Sequence, residues 1–123
     1  MRILAADDEA DVRLLIELAF GMEPSMSLTL VSSGREALER AVSGSYDLIV
    51  LDGLMPDLDG AATCRLLKQD ARTAEIPVVF LTALSADSAR NELRAAGGAG
   101  FVAKPFDPFT LVAQLTAFAR RPT

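Results

Sequence analysis

Five short apolar runs recur along this chain, each followed by a stretch of helical periodicity, and that alternation restricts the fold more than any other feature. The runs occupy residues 3–6, 28–31, 48–51, 78–81 and 101–103. Unbroken apolar runs without polar alternation suit strands buried on both faces, as in parallel sheets covered by helices. Between the first two runs, Val12, Leu15, Ile16, Ala19 and Phe20 form one apolar stripe at helical spacing. Ser33 stands three residues before Glu36, the spacing of a capping box, and opens a helix through Ala37, Leu38, Ala41 and Val42 that ends at Gly44. Ala61, Cys64 and Leu67 mark a third helix. Ser85 followed by Asp87 opens a fourth, ending near Gly97. Asp107 and Pro108 read as the N-cap and first residue of a fifth, which turns Leu111, Val112, Leu115, Phe118 and Ala119 inward. Strict strand–helix alternation, five times over, predicts an α/β fold with a doubly wound, five-stranded parallel sheet.

The 123 residues suit a single domain over residues 1–121, with 122–123 as a short tail or the start of a linker. Half of the residues are hydrophobic, enough for a core that needs no staples. The lone cysteine, Cys64, forms no internal disulfide and is expected to pack within a helix face. The opening MRILAADDEADVR lacks the apolar length of a signal peptide, and no run approaches the roughly 18 apolar residues of a membrane span. A cytoplasmic location away from membranes is the expectation. A net charge of −5 disfavours nucleic-acid binding through phosphate contacts. The chain has no histidine, which excludes Ser-His and Cys-His catalysis, His-ligated zinc and an internal phosphohistidine.

The acids are placed where such a fold binds ligands. Asp7 and Asp8 directly follow the first run, and Asp52 directly follows the third. In open α/β sheets, ligands sit beyond the carboxyl ends of the strands, where the strand order reverses. With the order 2-1-3-4-5, borrowed from known flavodoxin-like folds, strands one and three are neighbours at that point. At about 4 Å and an effective dielectric near 20, each close carboxylate pair costs about 4 kcal/mol. Raised pKa values or a bound cation relieve this, and hard oxygen ligands favour Mg²⁺ or Mn²⁺. Asp7 and Asp8 could equally cap the first helix; Asp52, followed by Gly53, has no obvious helix to cap. Thr82 and Lys104 close the fourth and fifth runs. Together these residues suit phosphoryl chemistry: a carboxylate attacks, a cation and a lysine offset charge, and a hydroxyl donates to an oxygen.

The acid pair Asp7-Asp8, the LIVLDGLMPDLDG segment around Asp52, the VVFLTA segment with Thr82 and Ala83, and Lys104-Pro105-Phe106 appear in order. The spacings are 44, 30 and 22 residues from Asp8 through Asp52 and Thr82 to Lys104. On these residues the whole chain resembles the receiver domain of two-component response regulators. The resemblance implies that Asp52 is the phosphoacceptor and that Asp7, Asp8, Asp52 and the backbone carbonyl of Leu54 hold Mg²⁺. It also implies that Lys104 contacts a phosphoryl oxygen, Thr82 swings towards the phosphoryl group, Phe101 is the switch aromatic and Pro105 follows a cis peptide bond. It further implies that Pro56 and Gly60 shape the loop after Asp52. The implied donor is an external phosphohistidine on a sensor histidine kinase or a phosphotransfer protein. The implied reader is a downstream protein or output domain that binds the surface around helix 4, strand 5 and helix 5, with a homodimer there left open.

Some positions depart from common choices. Gly53 adds flexibility after Asp52, Leu54 and Leu84 flank the pocket with apolar groups, and residues 97–100 are rich in glycine beside Phe101. Leu14 and Leu18 lie off the apolar stripe of the first helix and suggest a docking face for the donor. Two other readings remain. One is a pseudo-receiver that never takes phosphate. The other is an Asp-nucleophile phosphatase, although Leu54 occupies the place where such enzymes carry a second Asp and 123 residues leave no room for a cap domain. Self-phosphorylation and dephosphorylation, rather than turnover of a free substrate, is the expected chemistry.

Overall fold

A computed structural model of the chain describes residues 1–83 and 87–119. The elements run β1 (Arg2–Ala6), α1 (Ala10–Gly21), β2 (Ser27–Val31), α2 (Gly34–Ser43), β3 (Leu48–Asp52), α3 (Gly60–Gln69), β4 (Val78–Thr82), α4 (Asp87–Ala95), β5 (Gly100–Ala103) and α5 (Pro108–Thr116). The strands form one parallel sheet in the order β2-β1-β3-β4-β5. The fold is therefore the flavodoxin-like α/β architecture that the alternation predicts. Ser85, Leu84 and residues 120–123 lie outside the described residues, and with them fall the expected start of the fourth helix, one apolar flank and the tail.

Period-two alternation along each strand divides the core between the two faces. Leu4, Ala6, Ile49, Leu51, Val78 and Phe80 pack with Ala37, Ala41, Cys64, Leu67, Leu93 and Ala96, so α2, α3 and α4 cover one face. Ile3, Ala5, Leu48, Val50, Val79 and Leu81 pack with Ile16, Phe20, Leu111 and Leu115, so α1 and α5 cover the other. Every residue of β3 and β4 is buried, which explains why those runs show no polar alternation. Cys64 is buried in this core, and burial pushes its thiol up to about 11, well away from reactive thiolate.

The helix boundaries follow local chemistry. Ser33 Oγ accepts from the Glu36 N–H, as the capping-box spacing predicts. The return bond differs, because Glu36 Oε2 accepts from the N–H and hydroxyl of Ser32. Asp59 caps α3 by accepting from the Ala62 N–H. Asp107 caps α5 with Pro108 as its first residue. After α4, the Gly97 N–H bonds to the Arg94 carbonyl and the Gly98 N–H to the Leu93 carbonyl, the pair of bonds that defines a Schellman turn. Gly97 takes the left-handed φ of +111° that this turn demands.

Leu15 of the α1 stripe and Phe118, expected inward, both lie farther out than their spacing suggests. Leu15 is exposed, since it sits at the edge of the α1 stripe and borders the surface groove beside Pro105 and Phe106. Phe118 is also partly exposed, because α5 ends at Thr116 and the ring lies over the start of β5, against Gly100. A Cβ on Gly100 would collide with that ring. This glycine is explained by packing.

Candidate functional site

The parallel register brings the acids together. Ala6 of β1 stands opposite Leu51 of β3, so the next residues, Asp7 and Asp52, emerge side by side at the carboxyl edge of the sheet. Both are buried polar groups, Asp7 at 1% exposure and Asp52 at 4%. Asp8 and Glu9 follow at the exposed rim. One carboxylate oxygen from each of Asp7, Asp8, Glu9 and Asp52 falls within 4.8 Å of the others. Glu9 is an addition to the acids expected from sequence.

Each buried carboxylate is oriented by the backbone. Asp7 Oδ1 accepts from the Glu9 N–H at 2.9 Å, and Asp52 Oδ1 accepts from the Leu54 N–H at 3.1 Å. Arg13 donates to the Asp7 carbonyl at 2.8 Å and ties α1 to the end of β1. Gly60 permits the return of the β3–α3 loop: a Cβ there would overlap the Asp52 carbonyl oxygen and lie 3.0 Å from Gly53 Cα. Leu54 is 60% exposed, while its N–H bonds to the Asp52 carboxylate.

Lys104, just past β5, closes the pocket from the opposite side. Its Nζ stands 2.8 Å from Asp7 Oδ2, 3.2 Å from Asp52 Oδ2 and 3.6 Å from Glu9 Oε1. Its backbone N–H bonds to the Thr82 carbonyl, and the Lys104–Pro105 peptide is cis. Thr82 is buried at the end of β4. Asp7 Oδ2, fully buried, is ion-paired with Lys104. The four clustered carboxylates suit a hard divalent cation.

The electrostatics agree with this geometry. Burial raises the Asp52 carboxyl from 3.8 to about 6, with the Asp7 charge adding to it and the Leu54 N–H and Lys104 opposing. Burial works against the Lys104 ammonium, but Asp7 and Asp52 outweigh it and hold its pKa above the usual value.

Phe101, on β5, is partly buried and stacks on Phe80 with centroids 6.3 Å apart. The guanidinium groups of Arg90 and Arg94, on α4, lie 5.9 and 5.1 Å from its ring centre, a cation–π contact that sequence gave no hint of.

This chain belongs to the response regulator receiver domain family, whose model matches residues 3–116. It is 39% identical over 120 residues to the response regulator PleD of Caulobacter vibrioides, covering 97% of this chain and 26% of PleD. It is 33% identical over 120 residues to the transcriptional regulatory protein ResD of Bacillus subtilis, covering 98% of this chain and 48% of ResD. The chain thus spans half or less of these curated relatives. Among solved structures, the chemotaxis protein CheY4 of Vibrio cholerae matches with a TM-score of 0.88 at 26% identity, over 95% of this chain and 97% of that one. The receiver domain of the sensor histidine kinase PA1611 from Pseudomonas aeruginosa, which has a magnesium ion coordinated in its active site cleft, matches with a TM-score of 0.85 at 28% identity, over 95% of each chain. Receiver domains are signalling modules of two-component systems. No helix among the described residues is long and apolar enough to cross a membrane.

Proposed function

We propose that this chain is a phosphoacceptor receiver, marked on Asp52 by a phosphohistidine on a sensor kinase or phosphotransfer protein. The observation that carries the reading is the pair of buried carboxylates, Asp7 and Asp52, sharing the Lys104 ammonium at one sheet edge. An oxygen of Asp52 attacks the phosphorus. A P–O bond forms as the P–N bond to the donor imidazole breaks, and the departing nitrogen takes a proton from water. Lys104 and the Thr82 hydroxyl meet the phosphoryl oxygens and stabilise the charge that spreads over them in the transition state. Asp7, Asp8, Asp52 and the Leu54 carbonyl would hold Mg²⁺ or Mn²⁺, which supplies positive charge to the reacting oxygens. Turnover of a free substrate is not part of this role.

The readout is a change of surface. As Thr82 turns to the phosphoryl group, Phe101 follows, and the face formed by α4, β5 and α5 changes its affinity for a downstream protein or output domain. A groove of about 510 Å³ beside Phe101, lined by Phe106, Thr110, Gln114 and Phe118 among others, gives that face a recess for a partner. A second groove of about 350 Å³, bordered by Val12, Leu15 and Phe106, adjoins Lys104 and offers the donor an approach.

Two measurements test this reading. Intact mass after incubation with acetyl phosphate will rise by one phosphoryl unit with Mg²⁺ present and stay unchanged with a chelator; no gain with Mg²⁺ would leave a pseudo-receiver. Mg²⁺ affinity, read by calorimetry, will fall about tenfold from pH 7 to pH 5, because the cation must displace the proton that Asp52 holds below pH 6. A flat profile would mean that Asp52 does not share the cation site.

A further inference from the structure

Arg90 and Arg94 stand one turn apart on α4 and share a face of that helix. Two like charges at this spacing repel each other. Here both guanidinium groups nevertheless converge on one ring, their central carbons 5.9 and 5.1 Å from the centre of Phe101. The negative face of an aromatic ring attracts such cations and offsets their repulsion. The ring is only partly buried, and the fully buried Phe80 stacks on it. Leu93 is the one described residue of α4 that is buried, so the two arginines add a substantial tie between α4 and β5. Phe101 stands two residues before Ala103, which pairs with Thr82.

We propose that Arg90 and Arg94 latch Phe101 in its resting position and so set the threshold of the switch. This rests on the reading of Phe101 as the aromatic that follows Thr82. To follow, the ring must leave both guanidinium groups, and the attraction lost counts against the switched state. When only a fraction of the molecules is switch-competent, the apparent affinity for a phosphoryl group falls by that fraction. Loosening the latch raises the fraction and tightens binding. Charge alone acts with the opposite sign, because two fewer cations on a chain of net charge −5 weaken the binding of any anion. Simple loss of stability does not tighten binding either.

The test is calorimetric titration with beryllium fluoride, in Mg²⁺ and excess fluoride, as a mimic of the phosphoryl group on a carboxylate oxygen. The variant carrying Arg90→Gln and Arg94→Gln will bind it roughly three- to tenfold more tightly than the wild type, the scale of two partly exposed cation–π contacts. Arg65→Gln, at an exposed arginine of α3, controls for charge and will bind no more tightly than the wild type. In a Phe101→Leu background the same two arginine changes will shift affinity by less than about twofold, because the ring they act on is gone. Equal or weaker binding by the double arginine variant overturns the proposal. So does the same gain in Arg65→Gln, or an undiminished gain in the Phe101→Leu background. Amide hydrogen exchange tests the latch without any phosphoryl mimic: the α4 amides will exchange roughly three- to tenfold faster in the double arginine variant than in the wild type or Arg65→Gln. Unchanged α4 exchange overturns the latch. If exchange rises in this way while no protein binds beryllium fluoride, the reading of the pocket fails and the latch stands.

Discussion

Without metal, Asp52→Asn will be more stable than the wild type at pH 7 by about 3 kcal/mol, a figure that follows from a carboxyl pKa raised from 3.8 to about 6. The sign comes from linkage. A carboxyl whose folded pKa lies above its unfolded value favours folding by its protonated form. Its full contribution is present below about pH 4 and is lost as pH rises through 6. Asparagine keeps the shape and removes the charge, so the variant escapes that loss while Lys104 keeps its contact with Asp7. Urea unfolding at pH 4 and pH 7 will give nearly equal stabilities at the lower pH and a clear gap at the higher. Added Mg²⁺ will close the gap by stabilising the wild type more. Parallel stability profiles across this range would mean that the pocket does not strain Asp52.

The second large effect is at Gly60. Alanine there will cost about 2–3 kcal/mol, the scale of overpacking in a well-filled interior. The atoms that a Cβ meets are the Asp52 carbonyl and Gly53 Cα, which are backbone and cannot rotate away. Relief requires a shift of the peptide that carries the Asp52 carboxylate, so Mg²⁺ affinity will fall together with stability. Gly21, at the end of α1 with open space around its Cβ position, is the matched control. Gly21→Ala will be neutral or stabilising by up to about 1 kcal/mol, because alanine loses less backbone entropy in a helix. Equal outcomes at the two glycines would contradict the close approach that frames the pocket.

The strands and the pocket edge were legible because burial on both faces leaves an unmistakable apolar run, and the polar residues that end these runs then stand out. Asp52 and Thr82 prove to be the last residues of β3 and β4, one position inside the expected boundary. The strand order came from analogy, since alternation alone does not fix which strands are neighbours. Leu15 and Phe118 fit the apolar periodicity yet lie exposed, because a periodic stripe says nothing about where the covering element stops. The Asp59 cap has a readable signal, an acid just before Gly60 and a helical stretch. Glu9 and the Arg90–Phe101–Arg94 contact had no such signal. Glu9 meets Lys104 across nearly the whole chain, and the arginines meet Phe101 from a different element. Reach of this kind depends on side-chain direction in the folded molecule, which spacing does not encode.

The central claim is that Asp52 carries a reversible phosphoryl mark. Its most direct test is intact mass with peptide mapping, on the wild type and Asp52→Asn, after incubation with Mg²⁺ and acetyl phosphate. The account predicts one phosphoryl unit on the peptide containing Asp52 in the wild type and none in the variant. No gain in the wild type, or an equal gain in both proteins, would contradict it.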